Sequence, residues 1–273
     1  MGLQTVLGLR RQGFFAPYRY AESVPSPGGY PELEAAFAAA GLGEMLHRIE
    51  DAVAPIAALD GPPPDPRWRQ SWFPRLDAAA AYATVLWSRP GRIVEVGSGH
   101  STRFLARAAR DFSRDGGAPV RITCIDPAPR AALAGLDIDW RREVLAPAHL
   151  PLFAALREGD IAFFDSSHLL WPGTDVDLIL NRILPVLRPG VRVHIHDVFL
   201  PDPYPPDWAW RGYTEQLGLG GYLTSPGWRI LWASHYAATR LGAAARTAIA
   251  ALPLVAGARE SSLWLVREPM NGV

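Results

Sequence analysis

Three stretches hold most of the residue types that could do chemistry: EVGSGHST at 95–102, DSSH at 165–168 and HIHD at 194–197. In the first, Gly97 and Gly99 let a backbone turn sharply and approach a ligand closely, and Ser101 and Thr102 suit the cap of a helix that starts at once. With Glu95 at the end of the preceding apolar run, the residues Glu95, Gly97, Ser98, Gly99 and Ser101 form a candidate cofactor cradle. Asp126 closes the run ITCID, where an acid is placed to accept hydrogen bonds from ribose hydroxyls. Asp165 and Asp197 end the runs IAFFD and VRVHIHD. If these runs are neighbouring parallel strands, the two carboxylates emerge side by side, and they repel unless a cation lies between them. A divalent metal at Asp165 and Asp197 is the economical expectation.

The glycine pattern leaves two cofactor classes open. A dinucleotide turn has a third glycine where this chain has Thr102, so a methyl donor is favoured over a nicotinamide cofactor, and a turn that merely packs is the plain alternative.

The elements that must position these residues alternate. The patterning predicts strands near 92–97, 120–126, 140–145, 160–165 and 191–196, with helices near 101–112, 128–135, 151–157 and 174–187. Past residue 207 a helix, the strand WRILWAS, an alanine-rich helix over 238–251 and the strand SSLWLVRE complete the series. This is a doubly wound, mostly parallel α/β sheet of seven strands. The helix PRLDAAAAYATVLWS, with an acid near its start, leads into the first strand. The proline cluster DGPPPDPRW divides residues 1–66, a helical extension and linker, from a main domain over 67–273.

Composition narrows the partners. Twenty-seven basic and 27 acidic residues give a formal charge of +0, so no basic field points to nucleic acid. Every basic residue among the 27 is Arg, which leaves no lysine to act as base or Schiff-base former. The single Cys124 can form no internal disulfide, which fits a cytoplasmic setting. No leader pattern and no membrane-spanning apolar run is expected. The partner expected is a small-molecule acceptor, with a homo-oligomer left open.

The boxes VEVGSGHST, DSSH, HIHDVFLPDPYPPDW and YTEQ, in that order, resemble class I S-adenosylmethionine-dependent methyltransferases, nearest the macrocin-type O-methyltransferases of macrolide sugars. The resemblance covers residues about 72–235. It implies the Rossmann-like methyltransferase sheet, S-adenosylmethionine as cofactor, Gly97, Gly99 and Ser101 at its methionine end and Asp126 at its ribose. It also implies a divalent cation, Mg or Mn, at Asp165 and Asp197, and His168 as the general base. Where those relatives carry a further metal-binding acid, this chain has His196, a ligand type that suits Mn, Fe or Zn better than Mg. The reaction implied is metal-assisted O-methylation of a sugar-like or phenolic hydroxyl.

Two rival functions remain. HIHD could supply a facial triad of an iron-dependent oxygenase, although His194 and Asp197 point to opposite faces of a regular strand. A non-catalytic module that binds the cofactor is the other. His194 is expected in the core, and Tyr204, Trp208, Trp210 and Tyr213 form either a substrate wall or packing.

Overall fold

The computed structural model describes residues 2–10, 12–14 and 16–269, so Met1, Arg11 and Phe15 of the N-terminal stretch lie outside it. Its seven strands are β1 (Arg92–Val96), β2 (Arg121–Ile125), β3 (Asp139–Arg141), β4 (Ile161–Phe164), β5 (Arg192–Ile195), β6 (Trp228–Ala233) and β7 (Leu263–Arg267). They pair in the order β3-β2-β1-β4-β5-β7-β6. The first five are mutually parallel, and β7 runs antiparallel to both β5 and β6. The expected doubly wound sheet is present. Its winding reverses between β1 and β4, which is where open parallel sheets bind ligands.

Strands β1, β2, β4 and β5 are buried along nearly all of their length, as their unbroken apolar runs require when helices cover both faces. A short helix α1 (Gly2–Val6) opens the chain, and α2 (Pro31–Ala39) and α3 (Gly43–Val53) follow. Leu33, Phe37, Ile49 and Val53 from these two helices join the same apolar core as the sheet. Helix α4 (Arg75–Ser88) is buried from Arg75 to Val85, so its alanines allow close packing on its neighbours. It ends where Arg89 turns left-handed (φ 51°) ahead of Pro90. Helix α5 (His100–Arg114) starts directly from the glycine turn.

Several expected helices are shorter or broken. Residues 128–135 form no helix; Pro127 and Pro129 disfavour helical backbone just before them. After α6 (Leu150–Ala154), the single helix expected over 174–187 begins as α7 (Asp175–Leu178), widens to a π turn (Ile179–Ile183) and tightens to a 3-10 turn (Leu184–Val186). Pro185 has no N–H to continue the α pattern. The helix expected after residue 207 is two 3-10 segments (Pro206–Arg211 and Glu215–Gly218) and α8 (Gly220–Leu223), divided where Gly212 adopts φ 64°. The alanine-rich helix is split at Gly242 (φ 62°) into α9 (Ser234–Arg240) and, after a further turn, α10 (Thr247–Ala250). Among the described residues no helix is long and apolar enough to cross a membrane.

Candidate active site

The turn between β1 and α5 is fixed from below. Gly97 has φ +77°, and a Cβ there would lie 1.7 Å from the carbonyl oxygen of Asp165, so only glycine lets β1 and β4 come together at this level. Glu95 lies beneath, fully buried, accepting from the Ser101 hydroxyl at 2.7 Å and the Thr102 hydroxyl at 2.7 Å, with the Cys124 thiol 3.2 Å away. Thr102 Oγ1 in turn accepts the Gly99 N–H at 2.9 Å. Burial pushes the Glu95 carboxyl up to about 7, against the lowering pull of those three donors. Glu95 therefore braces the turn and lines neither neighbouring cavity, which corrects its expected place in the cofactor cradle.

The rest of the cradle faces open space. A Cβ at Gly99 would meet nothing within 4 Å. Ser98 Oγ and His100 Nδ1 are buried polar atoms without a hydrogen-bond partner, and both residues line a cavity. Buried groups of this kind are costly to leave unpaired, so they point to a ligand. Asp126 accepts the Ser98 N–H at 2.6 Å and the Ala128 N–H at 2.7 Å, and it lines a cavity of about 280 Å³ with Gly97, Ile125, Leu145 and Ser166. That volume is near the lower end of small-molecule sites, about 300 Å³. The residues present thus fit an adenosyl group, with Asp126 keeping free lone pairs for hydroxyl donors.

At the ends of β4 and β5, four expected residues meet. His168 Nε2 is 3.3 Å from Asp165 Oδ1 and 3.4 Å from Asp197 Oδ2, while His196 Nδ1 is 3.5 Å from Asp165 Oδ1 and 3.4 Å from Asp197 Oδ1. The outer nitrogen of each ring is held by a buried carboxylate: His168 Nδ1 by Glu215 at 2.8 Å and His196 Nε2 by Asp77 at 3.2 Å. Burial would lower both imidazoles, but the surrounding carboxylates outweigh it and hold them well above the usual value. Burial would likewise raise Asp165, yet His196 and His168 hold it well below the carboxylate range. His168 (φ 58°) and Asp197 (φ 56°) both sit in left-handed backbone, at a cost of about 1–3 kcal/mol each, a type of strain that concentrates at functional sites.

Two imidazoles and two carboxylates are donors that suit a divalent transition ion. Among the described residues, however, no group of three or more His, Cys, Asp or Glu side chains is arranged to hold one. The side chains of the expected cation site at Asp165, His196 and Asp197 nonetheless stand together, with His168 beside them. Each imidazole approaches both carboxylates, so a protonated ring would screen their mutual repulsion.

A second cavity, of which about 60 Å³ is open to the centre of a water molecule, lies over this cluster and is lined by Phe73, Gly99, His100, Trp208 and Arg211 among others. Ser98, Arg130 and Asp165 line both cavities, so the two share a wall. His194 is fully buried, stacked on Phe163 with ring centroids 3.7 Å apart and bonded through Nε2 to the Ser262 hydroxyl at 2.8 Å. It is a core residue as expected, and the facial triad of an oxygenase is not formed. The pattern analysis missed Asp77, Glu215 and Ser261, whose hydroxyl donates to Asp197 Oδ1 at 3.1 Å. YTEQ marked Glu215 without a role, and Asp77 read only as an acid near a helix start.

Residues 94–198 match the family model described as a methyltransferase domain. Among solved structures, the O-methyltransferase from Bacillus cereus in complex with SAH is 15% identical over 83% of this chain and 90% of that one, with a TM-score of 0.43. TomG from Streptomyces achromogenes, an O-methyltransferase of tomaymycin synthesis in complex with SAM, is 16% identical over the same shares, 83% and 90%, with a TM-score of 0.44. Likenesses at this level carry no inference about chemistry. No curated protein matches the chain. The matched stretch spans the glycine turn, Asp126, Asp165 and both ends of the histidine cluster, so it is in residues 94–198 that the chain is similar to a methyltransferase domain.

Proposed function

We propose that the chain moves a methyl group from S-adenosylmethionine to a hydroxyl of a small-molecule acceptor. The observation that carries this reading is the shared wall of Ser98, Arg130 and Asp165, with Asp126 on one side and His168 on the other. Asp126 would hold the ribose, and Gly99, Ser98 and His100 would face the methionine end. When bound, S-adenosylmethionine supplies a methyl group already activated by its sulfonium.

The chain's own work is then to place the hydroxyl and take its proton. Asp165 and Asp197 flank the position that the hydroxyl would occupy. Glu215 fixes the His168 tautomer by holding Nδ1, which leaves Nε2 to receive the proton. Because the carboxylates hold the His168 imidazolium well above its ordinary value, the neutral base forms on the alkaline side. Turnover should therefore climb as pH rises above neutrality.

The test is S-adenosylhomocysteine release with hydroxyl-bearing acceptors, beside calorimetry with S-adenosylhomocysteine. His168→Ala should lower turnover by about 10²–10⁴-fold and remove the alkaline rise, with cofactor affinity unchanged. Asp126→Ala should weaken cofactor affinity instead. An unchanged rate in His168→Ala removes it from the base role, and a wild-type chain that does not bind S-adenosylhomocysteine overturns the reading as a whole.

A further inference from the structure

Resting on the methyl-transfer reading, we propose that the acceptor is a small hydroxy acid whose anionic group is held by Arg211 while its hydroxyl meets His168. Three arginines, Arg130, Arg211 and Arg259, line the cavity over the cluster. Arg259 is already engaged, its Nη2 lying 2.8 Å from Asp207 Oδ1. Arg130 lies over the Trp72 ring at 4.4 Å and borders both cavities, so it stands where the methionine carboxylate of the methyl donor needs a cation.

Arg211 is left over. Its guanidinium lies 4.1 Å from the Trp208 ring centroid, and Nη1 donates to the Tyr213 hydroxyl at 3.0 Å. Among the described residues it has no carboxylate partner, and its Nε is buried without a hydrogen-bond acceptor. The aromatic contacts fix the plane of the fork, and the unpaired Nε leaves it a donor still to be met, the kind of group that takes a carboxylate or phosphate. Asp165 and Asp197 line the same cavity, so an anionic acceptor must orient with its charge at Arg211 and its hydroxyl toward those two carboxylates.

Size points the same way. The 60 Å³ open to water centres holds about four to six waters, at about 10–15 Å³ each, roughly the bulk of one ring. A single-ring or sugar-sized acid fits that space.

The experiment uses the full chain saturated with S-adenosylhomocysteine and two matched pairs of probes, protocatechuate with its methyl ester and a hexose phosphate with the free hexose. We expect one acid to bind at least about tenfold tighter than its neutral partner, as a charge-assisted contact should give. Which pair shows the gap identifies the anion as carboxylate or phosphate. Arg211→Gln should collapse the gap to within about twofold while S-adenosylhomocysteine affinity stays unchanged, and Arg211→Lys should restore part of it. Equal binding within both pairs, no binding of either acid, or a gap that survives Arg211→Gln overturns the proposal. Failure to bind S-adenosylhomocysteine instead overturns the methyl-transfer reading on which it rests.

Discussion

Glu95 shows how one buried carboxyl can report on the whole turn. Its ordinary value of 4.5 is raised to about 7 by burial, so ionising it works against the folded state. The contribution of the neutral acid is full below about 4.5 and is lost as pH rises through about 7. Glu95→Gln should remove that slope. Urea denaturation at pH 5 and pH 8 should show a loss of up to about 3 kcal/mol across this window in the wild type that is smaller in the variant. An identical slope in both would place the raised value elsewhere. Sequence alone marked Glu95 by its position at a strand end but not its direction, because whether such a side chain faces a ligand or the layer beneath depends on what packs there: here Ser101, Thr102 and Cys124. Asp165 and Asp197 were legible for the opposite reason. A parallel sheet of this order must place the ends of β4 and β5 side by side.

The turn between β1 and α5 contains two glycines with different duties, and substitution separates them. Gly97→Ala adds a Cβ 1.7 Å from a backbone carbonyl at φ +77° and should destabilise the chain by about 2–4 kcal/mol, read from denaturation midpoints. Gly99→Ala meets no atom within 4 Å and should leave stability within about 0.5 kcal/mol, while S-adenosylhomocysteine affinity falls because the new methyl occupies the cavity wall. If Gly99→Ala binds as tightly as the wild type, that wall is not the cofactor's. The strands were legible because their buried apolar runs are unbroken, whereas the helices after β5 were not. Alanine-rich and aromatic periodicity over 206–250 suggests long helices, but Gly212 and Gly242 in left-handed backbone divide them. One such break follows Arg211, which lines the upper cavity.

Across the molecule, ligand binding should register as global stability. S-adenosylhomocysteine at about 100 times its dissociation constant adds about 2.7 kcal/mol to the folded state, which for a chain of 273 residues should raise Tm by about 5 °C or more. Asp126→Ala should lose most of this shift at the same ligand concentration, whereas an equal shift in both would remove Asp126 from the binding site. The long-range ties that make the site one unit could not be read from spacing, since they join residues far apart in the chain. Arg75 grips Glu260 at 2.8 Å and 3.1 Å, and Asp77 accepts the N–H groups of Ser261 and Ser262 while holding His196. The candidate site is thus completed by the stretch entering β7. A chain clipped before residue 260 would leave Asp77 without those amide donors and His196 without a fixed partner, so the seat of the histidine cluster depends on a stretch 184 residues or more along the chain from Asp77.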